Sequence, residues 1–217
     1  MTLVDFDSDD VDTVETPLSE LVDGGVWMAY MDFTGLADQT GTLSAYTRVN
    51  PDSELRLWDS VTLVGPAPVD PAVAALGPIV SSELIDLQAI LDSGDPVSCD
   101  WRLEHRGRVR TLEGGQDTKT ASGGVDTLLT VPYGGEYYLL VDAFAMQGGD
   151  TLKLRLRARG GDLSSTVRTI VYRAISGVQT ELTLVGPLVA HDSVVATLEQ
   201  SAGTPRAYPW QLLRVND

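Results

Sequence analysis

Between Leu152 and Arg159 the chain alternates without a break: Leu152, Leu154, Leu156 and Ala158 are apolar, and Lys153, Arg155, Arg157 and Arg159 are charged. A two-residue period puts the two sets on opposite faces of a strand with one side buried. GTLSAYTRV, ELRLWDSVTLV, TVRTIVYRA and DSVVATLEQ are further short runs rich in Val, Leu, Thr and Tyr. Gly, Pro, Asp and Asn interrupt such runs about every ten residues, which predicts a sandwich or barrel and not βαβ units. DPAVAALGP, flanked by prolines, is the one stretch that predicts a helix, of about two turns. SSELIDLQAIL predicts a strand, because DSVVATLEQ stands at the matching place of an internal repeat.

That repeat appears when Gly77 is set on Gly186, an offset of 109. Gly77/Gly186, Pro78/Pro187, Val80/Val189, Gly94/Gly203, Pro96/Pro205, Trp101/Trp210 and Leu103/Leu212 are then identical. Seven identities fall in 27 columns without a gap, where ordinary composition gives roughly two by chance. Upstream, Gly24-Gly25 and Gly134-Gly135 precede VWMAYMDF and EYYLLVDA, which share Asp32/Asp142 at an offset of 110. Thr42-Leu43 and Thr151-Leu152 return the offset to 109. A tandem duplication follows: an all-β chain of two antiparallel β-sandwich domains, jelly-roll-like or Ig-like, over residues 16–110 and 125–217. Residues 1–15 are expected to be an acidic N-terminal arm, and the Gly/Thr-rich stretch 111–124 a linker.

Charge narrows the partners. The net charge of −16 repels nucleic acid and anionic lipid, so neither is expected. The scarce cations are clustered: Arg102, His105, Arg106, Arg108 and Arg110 end the first copy, and Lys153, Arg155, Arg157 and Arg159 share one strand face. The arm carries Asp5, Asp7, Asp9, Asp10 and Asp12, so arm and basic rows are complementary candidate interface elements, within one subunit or between two. Asp5, Asp7 and Asp9 also fit the first ligand positions of a calcium loop. Asp10 stands where such a loop needs Gly, however, and Thr16 where it needs Glu; no metal is expected. Asp32 and Asp142 are expected to cap turns.

No catalytic constellation is present. His105 aligns with Arg214, and His191 with Ser82; no nucleophile elbow, zinc-protease motif or phosphate loop occurs. No enzyme activity and no cofactor are expected. Cys99 is the only cysteine, so no disulfide forms within the chain. MTLVDFDSDDVDTVE lacks the basic and apolar regions of a signal peptide, which predicts synthesis in a host cytoplasm. Trp101 and Trp210 are expected in the core; exposed together with Tyr208, they would instead stack on sugar rings and mark a carbohydrate- or receptor-binding module. A bacterial structural or adaptor protein is the other alternative.

Short sandwich copies, Gly-Gly turns before EYYLLVDAF, acidity and no active site together resemble accessory virion proteins of tailed phages and related viruses: capsid-decoration proteins, head-spike bases and tail-associated sandwiches. The resemblance implies a non-enzymatic particle component that binds a major capsid or tail protein. Two similar domains per chain favour a homo-oligomer, a trimer first, because three such chains present six similar blocks.

Overall fold

The computed structural model describes residues 2–11, 16–21, 24–36, 39–64, 73–81, 84–159, 167–179 and 181–216. Two compact units divide the described residues: those within 2–48 and 55–108 form the first, and those within 49–54 and 109–216 the second. Among the described residues every regular element is a strand.

The first unit holds β1 (Thr2–Val11), β2 (Thr16–Leu21), β3 (Gly25–Asp32), β4 (Thr40–Thr47), β5 (Arg56–Val64), β6 (Val73–Ser81) and β7 (Ile85–Leu91). The long β8 (Val97–Thr120) contributes its residues 97–108 to this unit and 109–120 to the second. The second unit continues with β9 (Val125–Val131), β10 (Gly135–Val141), β11 (Thr151–Arg159), β12 (Val167–Ser176), β13 (Thr183–Ala190), β14 (Ser193–Ala202) and β15 (Ala207–Asn216).

The described registers within each unit are antiparallel, and the strand order follows one plan twice. The first unit has the orders β1-β8-β3-β6 and β2-β7-β4-β5; the second has β8-β15-β10-β13 and β9-β14-β11-β12. Each is an eight-stranded, two-sheet jelly roll. Register repeats as well as order. Tyr30 opposes Arg102 and Met28 opposes Glu104, just as Leu140 opposes Gln211 and Tyr138 opposes Leu213. The bulge between Trp27 and Ala29 on β3 recurs between Tyr137 and Leu139 on β10. Opposite these bulges, Gly77 and Gly186 have φ of 133° and 141°, and each precedes a cis proline. A Cβ there would meet the Trp27 carbonyl oxygen at 2.8 Å or that of Tyr137 at 2.9 Å, so only glycine fits.

Alternation decides which side chains turn inward. β3, β4 and β7 bury every second residue, and Trp27, Met31, Leu43, Leu87, Leu91 and Leu103 fill the first core. Tyr137, Leu139, Leu154, Leu198, Trp210 and Leu212 fill the second. At roughly 25 cal/mol per Å² of apolar area, such side chains contribute about 1.5–3 kcal/mol each relative to exposure.

Several expectations change. DPAVAALGP is not a helix: Val73–Ser81 is strand β6, because pairing with β3 settles a run whose alanines fit either state. Residues 2–11 are not an arm but the first strand of the first jelly roll, paired with β8 from Val11↔Val97 to Thr2↔His105. Most of the expected linker 111–124 belongs to β8 and forms the corresponding first strand of the second unit. Each copy therefore begins about fifteen residues earlier than the aligned columns indicate. The Thr42/Thr151 match is also displaced. Leu43 pairs with Ala89 and Leu154 pairs with Leu198, so β4 and β11 correspond at an offset of 111.

Candidate interaction surface

The first unit carries a charged outward sheet face, built on β8 and β3. Trp101 and Leu103 of β8 turn inward, so Arg102, Glu104 and Arg106 turn outward, with Met28 and Tyr30 of β3 opposite Glu104 and Arg102. Glu104 is only 4% exposed although it lies on this outer side. It lies 3.5 Å from Arg102 Nε and 2.8 Å from Arg106 Nη2. The Arg106 Nη2 group also donates to the Tyr30 hydroxyl at 2.9 Å, and the Arg102 guanidinium lies 4.5 Å from the centre of the Tyr30 ring. The arginine side chains themselves remain 51% and 40% exposed. One desolvated carboxylate therefore orients two cations whose remaining N–H groups face water. A shallow cleft of about 370 Å³ borders the face, lined by Tyr30, Asp32, Val73, Asp100, Arg102 and the buried Trp101. Asp32 and Asp100 oppose each other across β3 and β8. Nothing in this arrangement pairs a nucleophile with a base.

The other residues singled out from the sequence fall as follows. Asp5, Asp7, Asp9 and Asp10 are on β1, beside β8; Asp12 lies outside the described residues. Asp9 opposes buried Cys99 and accepts a 2.7 Å hydrogen bond from the Trp101 indole. A strand is also no calcium loop. Arg108 and Arg110 are exposed on β8, Arg108 in the first unit and Arg110 in the second. On β11, Lys153 Nζ and Arg155 Nη2 donate to the two oxygens of Glu199 at 3.1 and 2.7 Å. Those bonds, that from Arg155 first, hold the Glu199 carboxyl below its ordinary pKa. Arg157 is half-buried on the same strand, and Arg159 is its last residue.

Trp101, Trp210 and Tyr208 do not form a stacking platform. They are 4%, 3% and 0% exposed, which leaves no ring face for a sugar to cover; alternation along β8 and β15 turns them into the cores. Tyr208 has no hydrogen-bond partner for its hydroxyl, and burial pushes its pKa up to about 12. Asp32 and Asp142 do cap turns, accepting from the Thr34 N–H at 2.8 Å and the Phe144 N–H at 2.9 Å. His105 packs against Trp27 with ring centres 4.6 Å apart, and His191 is exposed in a turn. Among the described residues no group of three or more His, Cys, Asp or Glu side chains is placed to hold a metal, and no helix is long and apolar enough to cross a membrane.

Sequence reasoning missed the burial of Glu104 and the role of β1. The first had no signal, since Arg-x-Glu-x-Arg reads as any solvated strand face. The second had one: Thr2-Leu3 recurs as Thr111-Leu112 at the same offset of 109.

No family model and no curated protein matches the chain. Among solved structures it is similar to the PBSX exported protein XepA, at 11% identity over 99% of this chain and 86% of that one, with a TM-score of 0.33. It is similar to the infectious bursal disease virus VP2 subviral particle at 14% identity, over 99% and 72%, with a TM-score of 0.34. The CUB1-EGF-CUB2 domain of human MASP-1/3 is similar at 9% identity, over 97% and 99%, with a TM-score of 0.27. Likenesses this distant carry no argument about activity.

Proposed function

We propose that this chain is a non-enzymatic structural component of a virus particle, a capsid-decoration, minor-capsid or tail-associated protein that works through protein–protein contacts in a symmetric assembly. One observation carries the reading: the inner faces of the two jelly rolls repeat, down to Trp101/Trp210 and Leu103/Leu212, while the outer faces at the same register differ in charge and burial. Duplicated cores with dissimilar exteriors suit a chain whose two blocks meet different surroundings. A trimer would place six such blocks around one axis, matching three-fold and six-fold neighbours alike. The chain is then made in the host cytoplasm, joins the particle and leaves with it.

The test is co-purification. An antibody to the chain should detect it in intact particles from its source, at a constant ratio to the major shell protein across a density gradient. Mass photometry of the purified chain should show a species near three times 23.3 kDa. Absence from particles that contain all their other proteins would overturn the reading.

A further inference from the structure

The two units have diverged in charge in opposite senses. Lys153, Arg155 and Arg157 share the outward face of β11, where β4 of the first unit has Thr42, Ser44 and Tyr46. Their pairing partners are Glu199, Thr197 and Val195 on β14 and Ala174, Tyr172 and Ile170 on β12. One carboxylate therefore faces three cations; Asp192 lies past the far end, next to the residue that opposes Arg159. Among the described residues, Arg157 Nε and the Thr197 hydroxyl on this face are buried and have no hydrogen-bond partner. Buried polar groups are costly to leave unpaired. In the first unit the turn between β7 and β8 reads DSGD, Asp92 to Asp95, and all four residues are exposed. The second unit has Ser201 and Thr204 in place of those aspartates, around the shared Gly94/Gly203. Asp92 Oδ1 accepts from the Thr40 N–H at 2.7 Å, and Gln39 donates to Ser93 O and Asp95 O. The turn is thus fixed while the Asp95 carboxylate faces water. By sequence, residues 2–48 and 55–108 hold 18 acidic and 5 basic side chains, whereas 49–54 and 109–216 hold 12 and 10.

From this geometry we infer that the outer face of β11 docks the first unit of a second copy of this chain, with the Asp92–Asp95 turn of one copy seated on Lys153, Arg155 and Arg157 of the next. Guanidinium groups match carboxylates through paired N–H donors. The row spans roughly 13 Å at the rise of a strand, enough for two carboxylates three residues apart. The second copy is the fitting occupant because the acidity of the chain is concentrated in the unit that lacks the row. Each copy offers one turn and one row, so the contact is heterologous and a closed ring completes it; the trimer of the proposed function is such a ring. The inference rests on that reading for self-assembly alone. Its test uses the purified chain, so failure there is separable from absence in particles.

Sedimentation equilibrium of the full chain is run at about 0.15 M salt, where the screening length of about 8 Å damps repulsion between whole acidic chains but not between charges in contact. Wild type should associate beyond its 23.3 kDa monomer. Arg157→Glu and Asp95→Arg should each raise the dissociation constant about tenfold. An equimolar mixture of the two variants should associate about threefold more tightly than either alone, because one of its contacts is native and the other has its charges exchanged. Asp95→Arg changes an exposed turn residue whose side chain makes no contact needed by the fold, which keeps the test readable if Arg157→Glu does not fold. Wild type that stays monomeric, Asp95→Arg that associates like wild type, or a mixture of the two folded variants no tighter than either alone would each overturn the inference.

Discussion

The outward faces of β3-β8 and β10-β15 hold the same backbone places and have opposite characters. Met28, Tyr30, Arg102 and Glu104 in the first unit correspond by register to Tyr138, Leu140, Gln211 and Leu213 in the second. The first set is half-exposed apart from Glu104, whereas Leu140, Gln211 and Leu213 are 0% exposed. Gln211 Nε2 donates to Thr111 Oγ1 at 2.7 Å and Gln116 Oε1 at 3.1 Å, where Arg102 pairs with a carboxylate. Inward, Trp, Leu and the bulge geometry are retained. A jelly-roll core constrains shape and volume on one side of each sheet, and the other side is free to be rewritten.

Exchanging the twins tests that contrast most severely. Leu213→Glu places a lone carboxylate where Glu104 has two arginines, and should cost about 3–5 kcal/mol, enough to unfold the second unit. The reverse exchange, Glu104→Leu, leaves half-exposed arginines that turn to water and should change stability by only about 1 kcal/mol. Urea melts of both variants measure the difference; equal losses would mean that the two faces are not distinct.

A smaller effect separates the turns that close the two units. In the second, Asp150 Oδ2 accepts from the Gln147 N–H at 2.8 Å and from Arg206 Nε at 2.5 Å; these bonds, the backbone one first, hold its pKa below the ordinary 3.8. In the first, neutral Gln39 does the corresponding work, donating to Ser93 O at 2.7 Å and Asp95 O at 3.0 Å. A depressed carboxyl stabilises the fold fully above its unfolded pKa, and that stability is lost as pH falls through the lower folded value. Asp150→Asn should therefore melt below wild type at pH 7, and the gap should close as pH drops below 3.8. Gln39→Ala should show a gap that does not vary over the same range.

The smallest effect lies in the cores. Tyr208 stands where the first unit has buried Cys99, and its hydroxyl is unpartnered. Tyr208→Phe should be neutral or stabilising by up to about 1 kcal/mol. Because burial raises the pKa from 10.0 to about 12, wild type should also lose stability across that interval as pH rises. The variant should not, and a pH series of thermal melts reads both effects.

The alternation of Leu152–Ala158 was legible from sequence, and those residues are buried as their period selects; Ile85–Leu91 was legible as a strand only through its repeat partner. The edge strands were not. TLVDFDSDDV and TLEGGQDTKT lack an apolar period; they are held by backbone pairing to a neighbour, which composition does not encode. Val73–Ser81 was ambiguous because Ala74 and Ala75 fit helix and strand equally, until β3 supplied the partner. The candidate surface was half legible. The arginines of β8 stood out in an acidic chain, but the burial of Glu104 depends on side chains from β3 and β8 meeting above it. Trp101 and Trp210 illustrate the same limit, since a duplicated aromatic marks a core or a platform until its burial is known.

The passage of β8 from one unit to the next sets where the gene can be divided. The two compact units part in mid-strand, between Arg108 and Val109, and not in the glycine-rich stretch that follows. A fragment begun at Val125 would strip β15 of a neighbour and leave a raw sheet edge open to other chains. A longer array assembled from the same module would have no loops at its joints, only strands handed from each copy to its successor.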